Sequence, residues 1–387
     1  MQAIKIRENI YWVGAIDWDL RNFHGYLTQR GSTYNSYLVL DDKITLIDNV
    51  KDYLAEEQIS RIKSVIDPSK IDYIIQNHIE MDHSGSLPLL KQLSRDAKIF
   101  ISPKGAEGIP KHFNMKEEEF NVVKSGDVLN LGNRTLQFIL TPMVHWPDNM
   151  VTYCTEEHLL FSNDAFGQHL ASSERFDDEF SADITMEEAK KYYANIVMPY
   201  GRQVQKALLA LQNLEVDTIA PSHGLIWRKD TSKIIQKYKK WSENKVDDKA
   251  LIIYDTMWQS TKTIAYAIQD AFNEKNYTTR MLSLQYNHIS DIMTELLNAK
   301  YICIGSPTLN SNVLPSVSAF LTYMKGLSPQ SRIGLAFGSY GWGGQSIDII
   351  DNTLKNCGFE TMDPIKIQYR PDKETLEEIT TRVKNNL

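Results

Sequence analysis

A chain of 387 residues with 42% hydrophobic and 24% charged residues can bury a core in each of two domains, which excludes a disordered or fibrous protein. A formal net charge of −7 and a pI near 5.8, with no basic tract, exclude nucleic acid and anionic membrane as natural partners. Cys154, Cys303 and Cys357 have no paired spacing, which excludes a disulfide framework and an iron–sulfur or rubredoxin-type centre held by this chain.

No apolar run reaches membrane-span length, and the N-terminal segment Met1–Arg7 has no secretory apolar stretch, so a cytoplasmic protein is expected. Short β-branched or aromatic runs bounded by turn residues predict strands at Ile10–Val13, Ser36–Leu40 and Ile44–Ile47. An amphipathic stretch from Glu56 to Ile66 predicts a helix, and Ile71–Ile75 the next strand. The pattern returns with a helix near Leu87–Leu93, a strand at Lys98–Ile101, and strands through Val128–Thr141 and Met150–Phe161. Hairpin strands followed by strand–helix alternation predict a layered αββα body. Met186 to about Ala210 turns helical, Thr218–Ala220 reads as a strand and Thr231–Trp241 as a helix. The polar segment Ser242–Lys249 is the expected domain boundary, dividing residues 1–248 from 249–387. Beyond it, apolar strands at Ala250–Tyr254, Thr279–Leu284, Tyr301–Ile304 and Ile333–Phe337 alternate with helical stretches. Buried strands so spaced predict a parallel, doubly wound α/β sheet.

The sharpest chemical signal is His78-Ile79-Glu80-Met81-Asp82-His83, directly after a predicted strand. A helix could not aim its four candidate ligands at one point, whereas a tight loop can. His145, Asp164 and His223 also follow apolar strands. Four imidazoles and three carboxylates suit two metal ions better than one. Mixed nitrogen and hard oxygen donors without thiolate favour iron or manganese, although zinc also accepts His and Asp. His169 lies close in sequence to Asp164 and is a candidate hydrogen-bond donor behind the ligands. His112, His158 and His288 have no such context and read as surface or structural residues.

In the second half, Thr256-Met257-Trp258-Gln259-Ser260-Thr261 follows the first strand and leads into a helix, a pattern that suits an anion. It is neither a P-loop nor a G-x-G-x-x-G fingerprint, which disfavours ATP and NAD. Ser306-Pro307-Thr308-Leu309-Asn310 and Ser339-Tyr340-Gly341-Trp342-Gly343-Gly344 follow the third and fourth strands, where a doubly wound sheet binds its ligand. The glycines admit close backbone approach, and Tyr340 and Trp342 offer aromatic surface.

The His78–His83 segment resembles the H-x-[HE]-x-D-H signature of the metallo-β-lactamase fold, with His145, Asp164 and His223 at its later ligand positions. Hydrolases of that fold generally have His where this chain has Glu80, and the Glu form resembles the flavodiiron proteins, or A-type flavoproteins. The three later loops resemble those of flavodoxin, which implies FMN. The resemblance covers essentially the whole chain, a metallo-β-lactamase-like domain followed by a flavodoxin-like one. It implies an oxidoreductase that reduces O2 to water, NO to N2O, or both, at two non-haem irons fed by FMN. On that pattern His78, Glu80, His145 and Asp164 would bind one iron and Asp82, His83, Asp164 and His223 the other, with Asp164 bridging. The segment around His24 is similar to the family's, and Tyr193 resembles a family tyrosine near the iron pocket. The resemblance further implies electrons from rubredoxin, another small donor or reduced coenzyme F420, and a head-to-tail homodimer, open to assembly as a dimer of dimers. Two other classes fit parts of the pattern: a metallo-hydrolase, which Glu80 opposes, and an electron-carrier flavoprotein, which the complete ligand set opposes.

Overall fold

Along the strand Tyr37–Val39, Tyr37 and Val39 enter one hydrophobic cluster and Leu38 another; the same split separates Ile47 from Leu46 and Ile75 from Ile74. Successive side chains of a strand face opposite ways, so these strands are buried on both faces. A slip of one residue would exchange the two clusters, which fixes the register. The computed structural model, which describes residues 1–387 apart from the Glu118 side chain, shows what covers each face. The chain forms two compact units, Met1–Tyr193 with Tyr200–Lys239, and Ala194–Pro199 with Lys240–Leu387.

In the first unit these strands belong to a seven-stranded sheet ordered Ile4–Arg7, Ile10–Trp12, Tyr37–Val39, Thr45–Ile47, Tyr73–Gln76, Lys98–Ile101, Phe120–Val122. One face meets Leu136, Phe138, Met150 and Phe161 of a five-stranded sheet ordered Val128–Asn130, Thr135–Leu140, Met150–Cys154, Leu159–Asn163, Thr218–Pro221. The other packs on Ile59 and Ile62 of the helix Ala55–Lys63, Leu87 and Leu90 of Leu87–Leu93, and Ile109 of Pro103–His112. Beyond the second sheet, Val204 and Leu208 of the helix Gly201–Leu211 and Tyr238 of Thr231–Ser242 gather around Val151. Helix, sheet, sheet and helix are the αββα layers expected from the sequence.

Register also gathers the loops. Leu140 pairs with Met150, Thr152 with Phe161 and Asn163 with Pro221, so the loops after Leu140, Asn163 and Pro221 share one edge of the second sheet. The Met150 amide donates to Asn77 O at 3.0 Å, which brings the loop after Tyr73–Gln76 to the same edge. The long helix expected from Met186 is interrupted. Ala182–Tyr192 passes into a π turn at Tyr193–Val197 and a tight turn at Met198–Tyr200 before Gly201–Leu211 begins. Pro199 cannot donate the amide that a continuous helix requires.

The second unit holds a sheet ordered Thr278–Ser283, Asp247–Tyr254, Ala299–Gly305, Ile333–Tyr340, the last pairing with both Glu360–Thr361 and Ile365–Gln368. All of these pairings are parallel. The order reverses between Asp247–Tyr254 and Ala299–Gly305, the switch point of a flavodoxin-like sheet. The first strand begins within the polar segment, because the Asp247 amide already donates to Asn298 O at 2.8 Å. Ile264, Ile268 and Phe272 of the helix Ser260–Glu274 and Ile379 and Val383 of Lys373–Asn385 pack on this sheet. Among the described residues no helix is long and apolar enough to cross a membrane.

Candidate metal and flavin sites

The His78–His83 motif divides at Glu80. His78 and Glu80 lie on the loop leaving Tyr73–Gln76, whereas Asp82 and His83 lie on the short helix Met81–Ser84. The expected single tight loop is thereby corrected: a helical turn starts after Glu80 and aims the second pair at a different point. Donor atoms of His78, Glu80, His145 and Asp164 lie within 4.8 Å of one another, as do those of Asp82, His83 and His223. In the first group, Asp164 Oδ2 is 3.5 Å from both His78 Nε2 and His145 Nε2, and Glu80 Oε2 is 3.4 and 3.6 Å from the same nitrogens. In the second, Asp164 Oδ1 is 3.0 Å from His83 Nε2 and 3.4 Å from His223 Nε2. Asp82 presents Oδ1 to His83 Nε2 at 3.3 Å and Oδ2 to His223 Nε2 at 3.4 Å. Ligands about 2.1 Å from one ion stand about 3.0 to 3.4 Å apart at right-angled or tetrahedral spacing. Asp164 thus offers one oxygen to each of two groups, both spaced as metal ligands are.

Behind the ligands, Asp48 ties the loops together. Its carboxylate accepts from Asn77 N at 2.8 Å, Asn77 Nδ2 at 3.0 Å and Asn163 Nδ2 at 3.4 Å. Asn163 Nδ2 also donates to Ser222 Oγ at 3.1 Å, and Asn163 Oδ1 accepts from Asn149 Nδ2 at 3.1 Å. Asn77 precedes His78, Asn163 precedes Asp164, Ser222 precedes His223, and Asn149 closes the loop carrying His145 by accepting the Trp146 amide at 2.5 Å. Each ligand-bearing loop is therefore anchored to one buried network. Sequence reasoning missed these residues; the available signal was a polar side chain at the end of each apolar strand, next to a candidate ligand. Two ring nitrogens are oriented separately: His78 Nδ1 donates to Asp148 Oδ2 and His223 Nδ1 to Thr33 O, each at 2.8 Å.

The residues named for supporting roles fall in distinct places. His24 caps a small hairpin of Asn22–Phe23 and Tyr26–Leu27, where it and Gly25 have φ of 51° and 85°. Its Nε2 lies 3.2 Å from Glu80 Oε1, the oxygen turned away from His78 and His145. His169 Nδ1 is 2.7 Å from Ser32 Oγ, its ring is 4.7 Å from that of His223, and its buried Nε2 has no partner. Burial, with His223 adding, holds this imidazole well below its ordinary pKa and hence neutral. Tyr192, missed in the sequence, donates its hydroxyl to Asp164 Oδ1 at 3.0 Å. Tyr193 is buried with its ring edge-on to Tyr238 at 5.0 Å. A further grouping of His158, Glu215 and Asp217 sits at the surface, with side chains 37, 75 and 62% exposed. His288 caps the helix Ile289–Leu296, a structural role.

Electrostatics favours a cation at the buried cluster. Burial alone would lower the His78 and His83 imidazoles, yet Asp148 and Asp164 beside the first and Asp82 and Asp164 beside the second hold both above their ordinary value. Burial alone would raise Asp164, yet His83 and His223 pull it well below the carboxylate range. His78 Nε2, His83 Nε2, both Asp82 oxygens and Asp164 Oδ2 are buried and make no hydrogen bond. Buried polar atoms without a hydrogen bond carry a large desolvation cost unless an ion takes them. The residues fit a pair of metal ions.

In the second unit, Tyr254 pairs with Gly305 and Gly305 with Phe337, so the three flavin-candidate loops leave the sheet side by side. The first enters the helix Ser260–Glu274 through Gln259, which has a φ of 68° and supplies no side-chain cap. First-turn amides lack intrahelical partners, and Thr256 Oγ1, on the loop leading into them, is buried without a partner, so an anion fits here. Thr261 Oγ1 lies 3.2 Å from Ser339 Oγ, and Thr308 N donates to Ser339 O at 3.0 Å, linking the loops. The second loop turns through Leu309 and Asn310, with Leu309 N donating to Asn312 O at 2.9 Å, after Ser306 and Pro307. In the third, Tyr340 lies against Gly344, and Gly343 and Gly344 have φ of 99° and 86°. Trp258 and Trp342 are 88 and 86% exposed and Met257 40%, an open apolar surface suited to a flat ring.

Residues 33–224 match the ODP family beta lactamase and residues 252–381 match Flavodoxin. The nitric oxide reductase of Moorella thermoacetica is 44% identical over 382 residues, covering 97% of this chain and 96% of that protein. The rubredoxin-oxygen oxidoreductase of Megalodesulfovibrio gigas is 42% identical over 387 residues, covering 98% and 96%. Among solved structures, the flavodiiron protein from Giardia intestinalis superposes with a TM-score of 0.96 at 34% identity, covering 100% of this chain and 96% of that one.

Proposed function

The chain belongs to the flavodiiron proteins, and from that premise we propose that it is an oxidoreductase that reduces O2 to water, NO to N2O, or both, at a diiron site supplied by FMN. The observation that carries this reading is Asp164, with one oxygen at each of two ligand groups. His78, Glu80, His145 and Asp164 would hold one iron, and Asp82, His83, Asp164 and His223 the other. Thr256–Thr261, Ser306–Asn310 and Ser339–Gly344 would hold FMN, in a flavin domain of residues 249–387 that follows a diiron domain of residues 1–248. When bound, the irons supply substrate binding and redox chemistry, and FMN supplies electrons one at a time.

The protein's own groups prepare that chemistry. Asp148 keeps the proton of His78 on Nδ1, so its Nε2 lone pair faces the site, and Thr33 O does the same for His223. The Tyr192 hydroxyl steadies Asp164 Oδ1, the oxygen shared with the second group. Both reductions consume protons. The His24 side chain, 75% exposed with Nε2 at Glu80 Oε1, offers a place to hold one between solvent and the buried carboxylate.

The relative named for rubredoxin supports rubredoxin as donor, with another small carrier or reduced coenzyme F420 as the alternative. Trp18, Tyr53 and Met81 are exposed on the first unit, and Trp258 and Trp342 on the second. Two such apolar surfaces support a head-to-tail homodimer, alone or paired again, that brings FMN of one subunit to the irons of the other. Free, buried cysteines support a cytoplasmic location. The test is to load the purified protein with iron and FMN, reduce it, and follow O2 and NO consumption separately at matched concentrations. Consumption of at least one gas is expected; consumption of neither, with both cofactors bound, overturns the assignment.

A further inference from the structure

Asp255 directly precedes Thr256–Thr261, the loop that suits an anion and would take the phosphate of FMN, and its hydrogen-bond partners include no cation. It follows the first strand of the second unit at the switch point, where its amide donates to Gly305 O at 3.1 Å, and it is 6% exposed. Its Oδ1 accepts from Thr256 N and from Gln285 Nε2, each at 2.6 Å, and its Oδ2 accepts from Ser316 Oγ. Gln285 Nε2 also donates to Thr256 O at 2.9 Å. Both backbone polar groups of Thr256 are therefore held from one side, and only its buried hydroxyl is left without a partner.

A carboxylate one residue from a phosphate site works against anion binding by simple repulsion. Here neutral donors from three segments cover both of its oxygens, which directs the charge into the protein rather than toward the ligand. What the carboxylate provides in return is geometric. With the Thr256 peptide locked, its hydroxyl is fixed on the loop that leads into the first-turn amides of Ser260–Glu274. A looser loop would have to be ordered by the ligand itself, at a cost in affinity.

We propose that Asp255 is a positioning residue through which this chain discriminates phosphorylated from unphosphorylated flavin. The inference rests on the FMN reading given above. Its test uses the full-length protein, freed of flavin and titrated separately with FMN and with riboflavin, with flavin fluorescence as the readout. Asp255→Ala raises the FMN dissociation constant at least about tenfold and leaves that of riboflavin within about twofold. Asp255→Asn restores FMN binding to within about threefold of wild type, because an amide can accept from Thr256 and Gln285 and donate to Ser316. Gln285→Ala removes one donor to Asp255 and the bond to Thr256 O while leaving the carboxylate in place, and gives a smaller loss confined to FMN, so the test survives if Asp255→Ala does not fold. FMN binding unchanged in both alanine variants, or lost in parallel with riboflavin, overturns the proposal. Wild-type protein that binds no FMN overturns the underlying reading of the site instead.

Discussion

Asp148 Oδ2 receives the His78 Nδ1 proton and the Ile79 amide proton, each at 2.8 Å, so one carboxylate sets both the tautomer of a proposed ligand and the path of the backbone beside it. Without it, His78 would be free to turn Nε2 away from Asp164 and Glu80. Asp148→Ala is expected to lower iron affinity about 10- to 100-fold, the usual cost of losing a partner of a ligating imidazole. Iron content after dialysis against a graded chelator measures it. Retention at the wild-type level would show that His78 is oriented by something else.

Asp48 acts one layer deeper. Asp48→Ala leaves Asn77 N, Asn77 Nδ2 and one bond of Asn163 Nδ2 unsatisfied in a fully buried region. At about 1–3 kcal/mol for each unsatisfied group, a loss of roughly 3 kcal/mol or more is expected. Because the network reaches every ligand-bearing loop, both irons should be lost together, unlike the local effect at Asp148. Denaturant unfolding and iron stoichiometry test the two halves of this prediction.

The fold was legible because its strands announce two-sided burial: Leu38, Leu46 and Ile74 alternate with neighbours that serve the other face. The candidate ligands were legible because each follows an apolar strand, where side chains of that kind have little reason to be unless they converge. What joins the loops was not. Asn77 and Asn163 reveal their partnership with Asp48, and Asn149 its bond to Asn163, only once the sheet order is known, and local sequence does not encode which strand ends become neighbours. Asp255 and Gln285 were hidden for the same reason. The choice between Tyr192 and Tyr193 depends on helical phase, and Ala182–Tyr192 gives way to a π turn at that point.

That phase has a measurable consequence. Tyr192→Phe removes the hydroxyl that donates to Asp164 Oδ1 and should perturb the optical spectrum of the iron-loaded protein. Loss of a hydrogen bond to a charged group, worth about 1.5–3 kcal/mol, predicts roughly tenfold or weaker iron binding. Tyr193→Phe should leave the iron spectrum unchanged, since its ring is placed against Tyr238. The reverse ranking would move the functional tyrosine back to position 193.

Gly224 follows His223 with a φ of 77°, and a Cβ there would meet Gln168 Oε1 at 2.1 Å and Gln168 O at 2.5 Å. The second of these is backbone and cannot swing aside. Gly224→Ala combines left-handed strain with this clash, and a cost of about 2 kcal/mol or more is expected. Gln168 Oε1 accepts the Leu225 amide at 2.7 Å, so displacement would also shift the segment carrying His223. A melting temperature within about a degree of wild type would contradict this, given the usual scaling of stability with melting temperature.

Removing the irons should make stability depend on pH in a defined direction. Without metal, the charge of Asp82 and Asp164 is met by protons on the imidazoles. Burial opposes this at His223, but Asp164 and Asp82 push its pKa up to about 10, and His78 and His83 are raised as well. A histidine titrates near pH 6.5 when unfolded. Folded values above that mean the protonated native state is favoured, so their stabilisation is complete below about pH 6.5 and is lost as pH rises through the folded values. Chelator-treated protein should therefore melt at progressively lower temperature between about pH 6.5 and pH 10. The His223→Gln variant, similarly stripped, should show a shallower decline. Iron-loaded protein, in which the metal rather than a proton meets the carboxylates, should not follow the same curve. Parallel curves for loaded and stripped protein would mean that these imidazoles do not face the carboxylates as described.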